Sequence, residues 1–275
     1  MPPRAGKNQF WRIAMIKEIM VAKGFEKEEQ PDGSYVDILD GYDGCQLQCP
    51  YCFQLNNPNW GKDILVRKNI IEVLGQQINN GENLKKDGEL FIGSLSDPYM
   101  PLEGKYQLTR KMLQVLCDKD YDVRVTTKSD NQIILRDIDI MKSFKRPIRI
   151  LMGLSNINQA GKGCDNVNIA IANELKKQGI EVWAFITPIL PYIMKLDEMI
   201  SSLDQSIPIY LDKLRIFSAG NQDRKMYDWV NLNFPQYKNL YYKLLFEQDE
   251  SYYDQIVDRY KDNDRITFMF SMWNE

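Results

Sequence analysis

Apolar residues along the chain alternate between short runs rich in β-branched residues and longer segments with helical spacing. The short runs predict six strands, at residues 35–39, 89–93, 122–127, 148–154, 181–187 and 213–217. The amphipathic segments predict helices at 67–78, 106–118, 137–144, 166–178 and 196–203. Repeated βα units imply right-handed crossovers and a parallel sheet. The pattern therefore predicts an α/β fold, a partial (β/α)6 version of the TIM-like barrel.

Two segments flank this predicted barrel, which is assigned to residues 35–221. Apolar residues between 8 and 23 recur at near-helical spacing ahead of Gly24, which predicts an N-terminal helix within an extension over residues 1–34. Residues 222–275 are crowded with aromatic side chains and are predicted to form a cap of helices and strands. Most of these aromatics are expected to pack over the open barrel, and the rest to line a substrate pocket or stack on bases.

Polar residues follow every predicted strand, at the end where βα barrels build their active sites. The loops in question are the one containing Cys45 and those at 94–99, 127–129, 155–158, 187–191 and 218–221. One polar loop indicates little, because most loops are polar. Six at the same rim predict a functional site there.

The first of these loops holds three cysteines, Cys45, Cys49 and Cys52, within eight residues. A [4Fe–4S] cluster is normally held by four Cys thiolates, one for each iron. Three ligands on one short loop would leave one iron open to a substrate or cofactor. Gly41 and Gly44 lie just before the first cysteine, where a tight fold requires positive φ or close backbone approach.

A disulfide and a structural zinc site are the alternatives for these cysteines. Five cysteines in 275 residues is an odd, low count, and the first residues carry no apolar signal-peptide core, so an oxidising compartment is not indicated. Structural zinc takes four N or S ligands. The chain has no His, and Cys117 and Cys164 are isolated. A zinc-stabilised interaction module stays an alternative with little support.

The absence of histidine also excludes several enzyme classes. Ser-His-Asp and Cys-His arrangements, His-Glu-x-x-His metalloproteases and His-ligated zinc deaminases all require that residue. Neither standard glycine-rich phosphate loop occurs in the sequence. A formal charge of −3 and a pI near 5.3 give no global basic field for nucleic acid. With 44% hydrophobic residues and no apolar run long enough to span a bilayer, we expect a cytoplasmic protein with no membrane partner.

Four ordered sequence blocks resemble the radical S-adenosylmethionine (SAM) superfamily, and within it the branch of spore photoproduct lyase. The likeness spans about residues 35–217. The blocks are Cys45-x-x-x-Cys49-x-x-Cys52 with an aromatic at Tyr51; Gly-Ser-Leu-Ser-Asp-Pro-Tyr-Met-Pro-Leu-Glu at 93–103 with Leu108-Thr-Arg110; Thr127-Lys-Ser129; and Arg136-Asp-Ile-Asp139.

The resemblance implies that the three cysteines bind a [4Fe–4S] cluster and that SAM binds its open iron through amino and carboxylate groups. An electron then cleaves SAM to methionine and a 5′-deoxyadenosyl radical, which abstracts hydrogen from a substrate. The electron would come from a low-potential donor such as flavodoxin or ferredoxin. The substrate, whether small molecule, peptide or nucleic acid, is not indicated.

Matching positions carry the family's site residues onto this chain. Tyr51 is expected near the adenine, and the backbone around Phe53 at its edge. Ser96, Lys128 and Ser155 are expected to hold the amino-acid and ribose groups. Lys128 is chemically suited to a carboxylate partner. The cysteines, together with Ser94, Asp97 and Tyr99 in the second loop, are the predicted catalytic residues.

Three departures separate this chain from the lyase. Ser94 stands where the lyase has a hydrogen-donating cysteine, and Phe53 where it has a tyrosine. Residues 160–166 lack the Glu-Pro and the arginine that relatives carry. We expect SAM cleavage without the lyase reaction. The alternatives are a non-catalytic iron–sulfur electron carrier or redox sensor and, among enzymes, a DNA photoproduct lyase.

Overall fold

Strands and helices alternate through most of the chain, which a computed structural model describes over residues 15–29, 35–81, 89–216 and 220–270. The strands are β1 (Met15–Ile19), β2 (Glu26–Glu29), β3 (Tyr35–Ile38), β4 (Tyr42–Asp43), β5 (Asp63–Arg67), β6 (Glu89–Ile92), β7 (Asp122–Thr127), β8 (Arg149–Gly153), β9 (Glu181–Ile186), β10 (Ile209–Leu211) and β11 (Ile266–Phe268).

The helices are mostly short, and five 3₁₀ turns accompany them in the described ranges. The α-helices are α1 (Ile70–Asn79), α2 (Glu103–Tyr106), α3 (Leu108–Leu116), α4 (Ile138–Met141), α5 (Val167–Lys177), α6 (Leu196–Ser202), α7 (Gln222–Asn233), α8 (Lys238–Phe246) and α9 (Ser251–Tyr260). The 3₁₀ turns are Phe53–Asn56, Ile133–Asp137, Ile157–Gln159, Gly163–Asp165 and Pro235–Tyr237.

The main sheet has eight strands in the order β11-β10-β9-β8-β7-β6-β3-β2. From β3 to β11 all neighbours pair in parallel, and only β2 is antiparallel, to β3. Five of the six strands predicted from sequence lie within one residue of their predicted bounds. Because βα connections place sequential strands side by side, the sheet follows chain order.

The two faces of this sheet differ in composition. On one face aliphatic residues such as Val125, Ile150 and Val182 are fully buried, and α5 contacts β8 and β9. The alternate residues are half-buried and partly aromatic or charged. Arg149 lies 4.4 Å from the Trp183 ring centroid, and Trp183 stacks on Tyr210 with centroids 5.1 Å apart. This second face extends to the C-terminal ends of the strands.

The predicted N-terminal helix is wrong where it can be checked. Residues 8–14 lie outside the described residues, and β1 occupies Met15–Ile19 as a strand that pairs in parallel with β5. β5 also pairs with β4, which gives a separate three-stranded sheet. Met15 and Ile16 are exposed, so no buried helical face exists. The hydrogen bonds to β5, a distant segment of the chain, decide the conformation.

The sixth predicted strand is misplaced. The strand is β10, Ile209–Leu211, whereas residues 213–216 are irregular and 217–219 lie outside the described residues. Ile209 and Leu211 are buried and Tyr210 is half-buried, so this short segment has the alternation of a strand. Pro208 precedes it, and a strand tolerates proline at its start. The loop that follows the sixth strand therefore begins at Asp212, and residues 218 and 219 of the predicted rim loop lie outside the described residues.

The C-terminal segment contains α7, α8 and α9 followed by β11, which pairs with β10. The cap thus contributes a strand to the main sheet. The division into 1–34, 35–221 and 222–275 stays a prediction, as does a cytoplasmic location. Within the described ranges no helix has the length and apolar character needed to cross a bilayer.

Candidate functional site

A cavity of about 390 Å³ opens at the C-terminal ends of the parallel strands. Its walls come from the loops after six strands of the chain. The lining includes Cys45, Cys49 and Cys52 with Tyr51 and Phe53; Ser94, Ser96 and Asp97; Lys128; Thr187 and Pro188; Asp212 to Arg215; and Met269. This is the edge at which parallel α/β sheets place their ligands.

The cysteine turn follows β4 and is shaped by residues with left-handed backbone conformations. Gly44 has φ 93°, and an added Cβ would lie 2.6 Å from the Asp63 carbonyl oxygen. Gln48 has φ 49°, and the Cys52 amide donates to the Cys49 carbonyl at 3.1 Å. Gly44 thus has both features predicted for it. The tight turn places all three sulfurs on the same cavity.

The three thiols are half-buried and form no disulfide. Burial raises the pKa of Cys45 and Cys49, and it raises the pKa of Cys52 to about 11. The Asp97 amide hydrogen-bonds to the Cys45 sulfur. The Tyr51 hydroxyl, whose one hydrogen goes to the Ser155 carbonyl, is in contact with the Cys49 sulfur. An amide donor aimed at sulfur is a contact that stabilises a thiolate ligand. The donor set is soft and fits iron–sulfur ligation.

No group of three Cys, His, Asp or Glu side chains in the described part of the chain converges as a site for a single metal ion. In an iron–sulfur cluster each thiolate binds a different iron, so its ligands need not converge on one point.

Asp97 is a buried carboxylate beside the cysteines. Its Oδ1 accepts from the Tyr99 amide at 2.9 Å and the Thr127 hydroxyl at 2.8 Å, and its Oδ2 accepts from the Lys128 amide at 2.6 Å. Burial raises its pKa despite these donors. Asp97 therefore ties the loop after β6 to the end of β7.

Asp40 fixes the start of the same loop from behind. Its carboxylate accepts from the Gly93 amide at 2.8 Å and the Leu95 amide at 3.1 Å. Burial raises the pKa of Asp40 to about 6. Gly93 has φ 91°, so the chain turns sharply where β6 ends. The sequence patterns did not single out Asp40.

Lys128 brings a positive charge to the cavity. Its side chain is half-buried, and among the described residues no carboxylate lies within ion-pair distance of its Nζ. A Cβ at Gly153 would collide with the Lys128 Cγ, so the glycine makes room for the lysine stem. Lys128 is therefore held at the rim with its ammonium available to a ligand.

Other predicted residues on the cavity wall differ in their exposure and in whether their hydroxyl groups are already hydrogen-bonded. Ser94 lines it, and no described residue hydrogen-bonds to its hydroxyl, whereas Phe53 is 47% exposed. Ser96 also lines it, but its hydroxyl donates to the Tyr42 carbonyl at 2.7 Å. Only the lone pairs of Ser96 Oγ are thus left for a ligand.

Two predicted residues lie elsewhere. Tyr99 is fully buried and is not part of the lining, so its side chain does not face a molecule in the cavity. Ser155 is 1% exposed; its hydroxyl donates to the Pro188 carbonyl at 2.8 Å, and its carbonyl accepts from the Tyr51 hydroxyl. The roles of Tyr99 as a catalytic residue and of Ser155 as a SAM contact stay predictions, and in this structure neither residue belongs to the lining of the cavity. Ser155 instead supports Tyr51.

Three contributors were missed from sequence. Asp212 and Arg215 line the cavity after β10 and form an ion pair at 2.8 Å. Gln222, fully buried at the start of α7, donates from Nε2 to the Tyr51 carbonyl at 2.7 Å and the Arg215 carbonyl at 2.8 Å. The misplaced sixth strand hid the first two. The Asp-x-x-Arg spacing after a short apolar run was the available signal.

Comparison with known proteins agrees with this architecture, although no protein-family profile matches the chain. An uncharacterised protein of Methanocaldococcus jannaschii is 27% identical over 269 residues, covering 92% of this chain and 95% of that protein. An uncharacterised protein of Mycobacterium tuberculosis is 20% identical over 183 residues, covering 60% of this chain and 53% of that protein.

Solved structures of spore photoproduct lyase are similar in fold to most of this chain. A tyrosine-to-phenylalanine variant gives a TM-score of 0.57, and a double variant with bound AdoMet and dinucleoside spore photoproduct gives 0.56, each at 16% identity. The chain is similar in fold to spore photoproduct lyase. The match covers 80% of this chain and 66% of the lyase chain. At this identity, the likeness to spore photoproduct lyase concerns the fold.

Proposed function

We propose that this protein is a radical SAM enzyme. The observation that carries the proposal is the placement of Cys45, Cys49, Cys52 and Lys128 on one cavity, at the C-terminal edge of a sheet similar to that of spore photoproduct lyase. The cavity combines three soft ligands with an available cation. A cluster with an open iron needs the three soft ligands, and a zwitterionic sulfonium cofactor needs the cation for its carboxylate.

The three cysteines would hold a [4Fe–4S] cluster. Bound and reduced, such a cluster supplies the electron that cleaves SAM to methionine and a 5′-deoxyadenosyl radical. The chain's part is to hold three thiolates in a turn fixed by Gly44 and Gln48, and to direct the Asp97 amide at the Cys45 sulfur. Because burial favours the neutral thiols, loading would displace protons.

SAM would lie along the wall between the cysteine turn and β7. Lys128 would pair with its carboxylate, Ser96 would accept a hydrogen bond through its free lone pairs, and Tyr51 with the backbone at Phe53 would border the adenine. A charge-assisted contact of this kind contributes about 1.5–3 kcal/mol. Ser94, beside them, would face a substrate rather than bind the cluster.

The main sheet would curl as an incomplete barrel. β3 and β10 are separated by four strands, yet the Tyr51 and Arg215 carbonyls that follow them accept from the same Gln222 nitrogen. A flat sheet would keep these loops far apart, because neighbouring strands lie about 4.8 Å from each other. Gln222 supports closure of the two ends around the cavity.

The test begins with anaerobic purification and iron–sulfur reconstitution. We expect a broad visible absorption band in the blue, a reduced-state EPR signal that changes when SAM is added, and 5′-deoxyadenosine after reduction. A low-potential donor such as flavodoxin or ferredoxin is the expected physiological reductant. The cluster-free variant Cys49→Ala serves as the negative control.

The results also distinguish the alternatives. A cluster whose EPR signal ignores SAM would identify an electron carrier or redox sensor. A colourless protein with stoichiometric zinc would identify an interaction module and contradict the enzyme. Loss of iron in Cys117→Ala or Cys164→Ala, as complete as in Cys49→Ala, would mean a fourth protein ligand and no open iron.

A further inference from the structure

The loop after β10 lies directly against the cysteine turn. Asp212, Lys213, Leu214 and Arg215 line the same cavity as the three cysteines. The Gln222 amide joins the Arg215 carbonyl to the Tyr51 carbonyl. Whatever these side chains bind will therefore lie beside the ligand of the cysteine turn.

Arg215 is held rigidly in this loop. Its Nε donates to Asp212 Oδ2 at 2.9 Å and its Nη2 to Asp212 Oδ1 at 2.8 Å, a two-point contact with one carboxylate. Nη2 also donates to the carbonyls of Met269 and Phe270, at 2.8 and 3.0 Å. Both side chains of the pair are 11% exposed. The guanidinium is thus fixed on two sides before any ligand arrives.

One edge of the guanidinium has no protein acceptor. A guanidinium carries five N–H donors, and among the described residues nothing accepts from Arg215 Nη1. Lys213 differs, because its ammonium contacts both Glu250 oxygens at 2.8 Å. Of these two cations on the β10 loop, Arg215 keeps a whole NH2 group without a protein acceptor among the described residues, whereas the two contacts with Glu250 leave Lys213 at most one donor.

Apolar side chains form part of the wall of the cavity that Arg215 lines. Phe185, Pro188, Leu214 and Met269 line the same cavity, whose volume falls in the usual range for small-molecule sites, about 300–1,000 Å³. Lys128 is assigned to the SAM carboxylate, so a second anion would need a second cation. We propose that Arg215 Nη1 binds the anionic group of the substrate, a small molecule that carries a carboxylate or phosphate on an apolar body.

This inference rests on the proposed function for the identity of the cavity as an active site, but binding itself needs no cluster. Asp212 balances the charge of Arg215 in the free protein, which makes a buried arginine tolerable. It also keeps the guanidinium from turning toward solvent. Asp212 is a positioning residue in this arrangement, and Arg215 contacts the ligand.

The test uses calorimetric titration of the full-length protein with three probes of one shape class: phenylacetate, phenyl phosphate and neutral phenylacetamide. We expect at least one anion to bind roughly tenfold or more tightly than the amide, as a charge-assisted hydrogen bond predicts. Arg215→Gln should abolish that preference. Arg259→Gln, which removes an exposed arginine paired with Asp197, should retain it. The preferred anion separates carboxylate from phosphate substrates.

Several results would overturn the inference. They are equal binding of amide and anions, an undiminished preference in Arg215→Gln, no binding of either anion, or binding of a single-stranded oligonucleotide in place of both. If Arg215→Gln does not fold, Lys128→Met is titrated with the same three probes. Loss of the preference for the anion in Lys128→Met would assign the anion to Lys128 and contradict the role of Arg215. A protein without cluster or SAM cleavage that still shows the preference would reject the proposed function alone.

Discussion

Each cysteine of the turn has its own hydrogen-bond surroundings, and all three are expected to be needed. Replacing Cys45, Cys49 or Cys52 by Ala should abolish cluster retention and 5′-deoxyadenosine formation, because two thiolates lose most of the protein's hold on a cubane. Iron content and the visible spectrum measure this. Cys117→Ala and Cys164→Ala are the matched controls, and they should keep both signals.

Lys128 is the residue expected to bind the SAM carboxylate. Lys128→Met removes the charge and keeps a similar apolar stem, so SAM affinity should fall roughly tenfold or more. The cluster spectrum should stay unchanged. Lys213→Met is a suitable control, since Lys213 lines the cavity with its charge already paired. Equal SAM affinity in wild type and Lys128→Met would remove Lys128 from the site.

Asp40 predicts a pH dependence of stability. Its pKa is raised from an ordinary 3.8 to about 6, so the folded state binds the proton more tightly than the unfolded chain. The contribution of Asp40 to the free energy of unfolding is therefore fully present below pH about 4 and is lost as the pH rises through about 6.

The side chain introduced by Asp40→Asn cannot ionise, so this variant should not lose stability in that pH range. From pH 4 to pH 7.5, the difference in free energy of unfolding between Asp40→Asn and wild type should therefore shift in favour of the variant by about 3 kcal/mol. Urea unfolding at both pH values measures the difference. Asp262→Asn, at an exposed position, should follow wild type. If the free energies of unfolding of Asp40→Asn and wild type changed with pH in the same way, ionisation of Asp40 would not lower the stability of the folded protein.

At the scale of elements, α7 joins two loops that belong to opposite ends of the sheet. Gln222→Met keeps the length of the side chain and leaves the Tyr51 and Arg215 carbonyls without their shared donor. An unsatisfied buried group costs about 1–3 kcal/mol, so the melting temperature should fall by several degrees. Gln236→Met, at an exposed position, is the control.

A purely structural role for Gln222 would lower stability and nothing else. If it also sets the distance between the two loops, Gln222→Met should weaken the SAM-induced change in the EPR signal at a temperature where the protein remains folded. Wild-type stability in Gln222→Met would contradict the bridging role altogether.

At the scale of the whole molecule, likeness in fold to spore photoproduct lyase does not predict the lyase reaction. The sequence resemblance implies that Ser94 stands where the lyase has a hydrogen-donating thiol, and an O–H bond is too strong for that step. Reduced protein with SAM and dinucleoside spore photoproduct should form 5′-deoxyadenosine without catalytic thymine release. Chromatography of both products measures this, with Cys49→Ala as blank. Catalytic thymine release would overturn the prediction and require another hydrogen donor.

Local pattern was sufficient for much of this molecule. Val123, Val125, Ile150 and Val182 belong to buried strands whose β-branched runs are visible in the chain itself. The spacing of the cysteines predicts iron–sulfur ligation without reference to the fold. Sequential βα units pair with their neighbours, so the sheet order followed from the order of the elements.

The remaining features depend on contacts between distant residues. β1 is a strand because β5 offers it hydrogen bonds, although its own spacing favours a helix. Tyr99 lies in a predicted active-site loop, yet packing turns its side chain away from the cavity. Arg215 faces the cavity because Asp212, Met269 and Phe270 hold it there. Local sequence determines which conformations are favourable, whereas side-chain direction and long-range pairing are decided only when separate segments satisfy one another's hydrogen bonds.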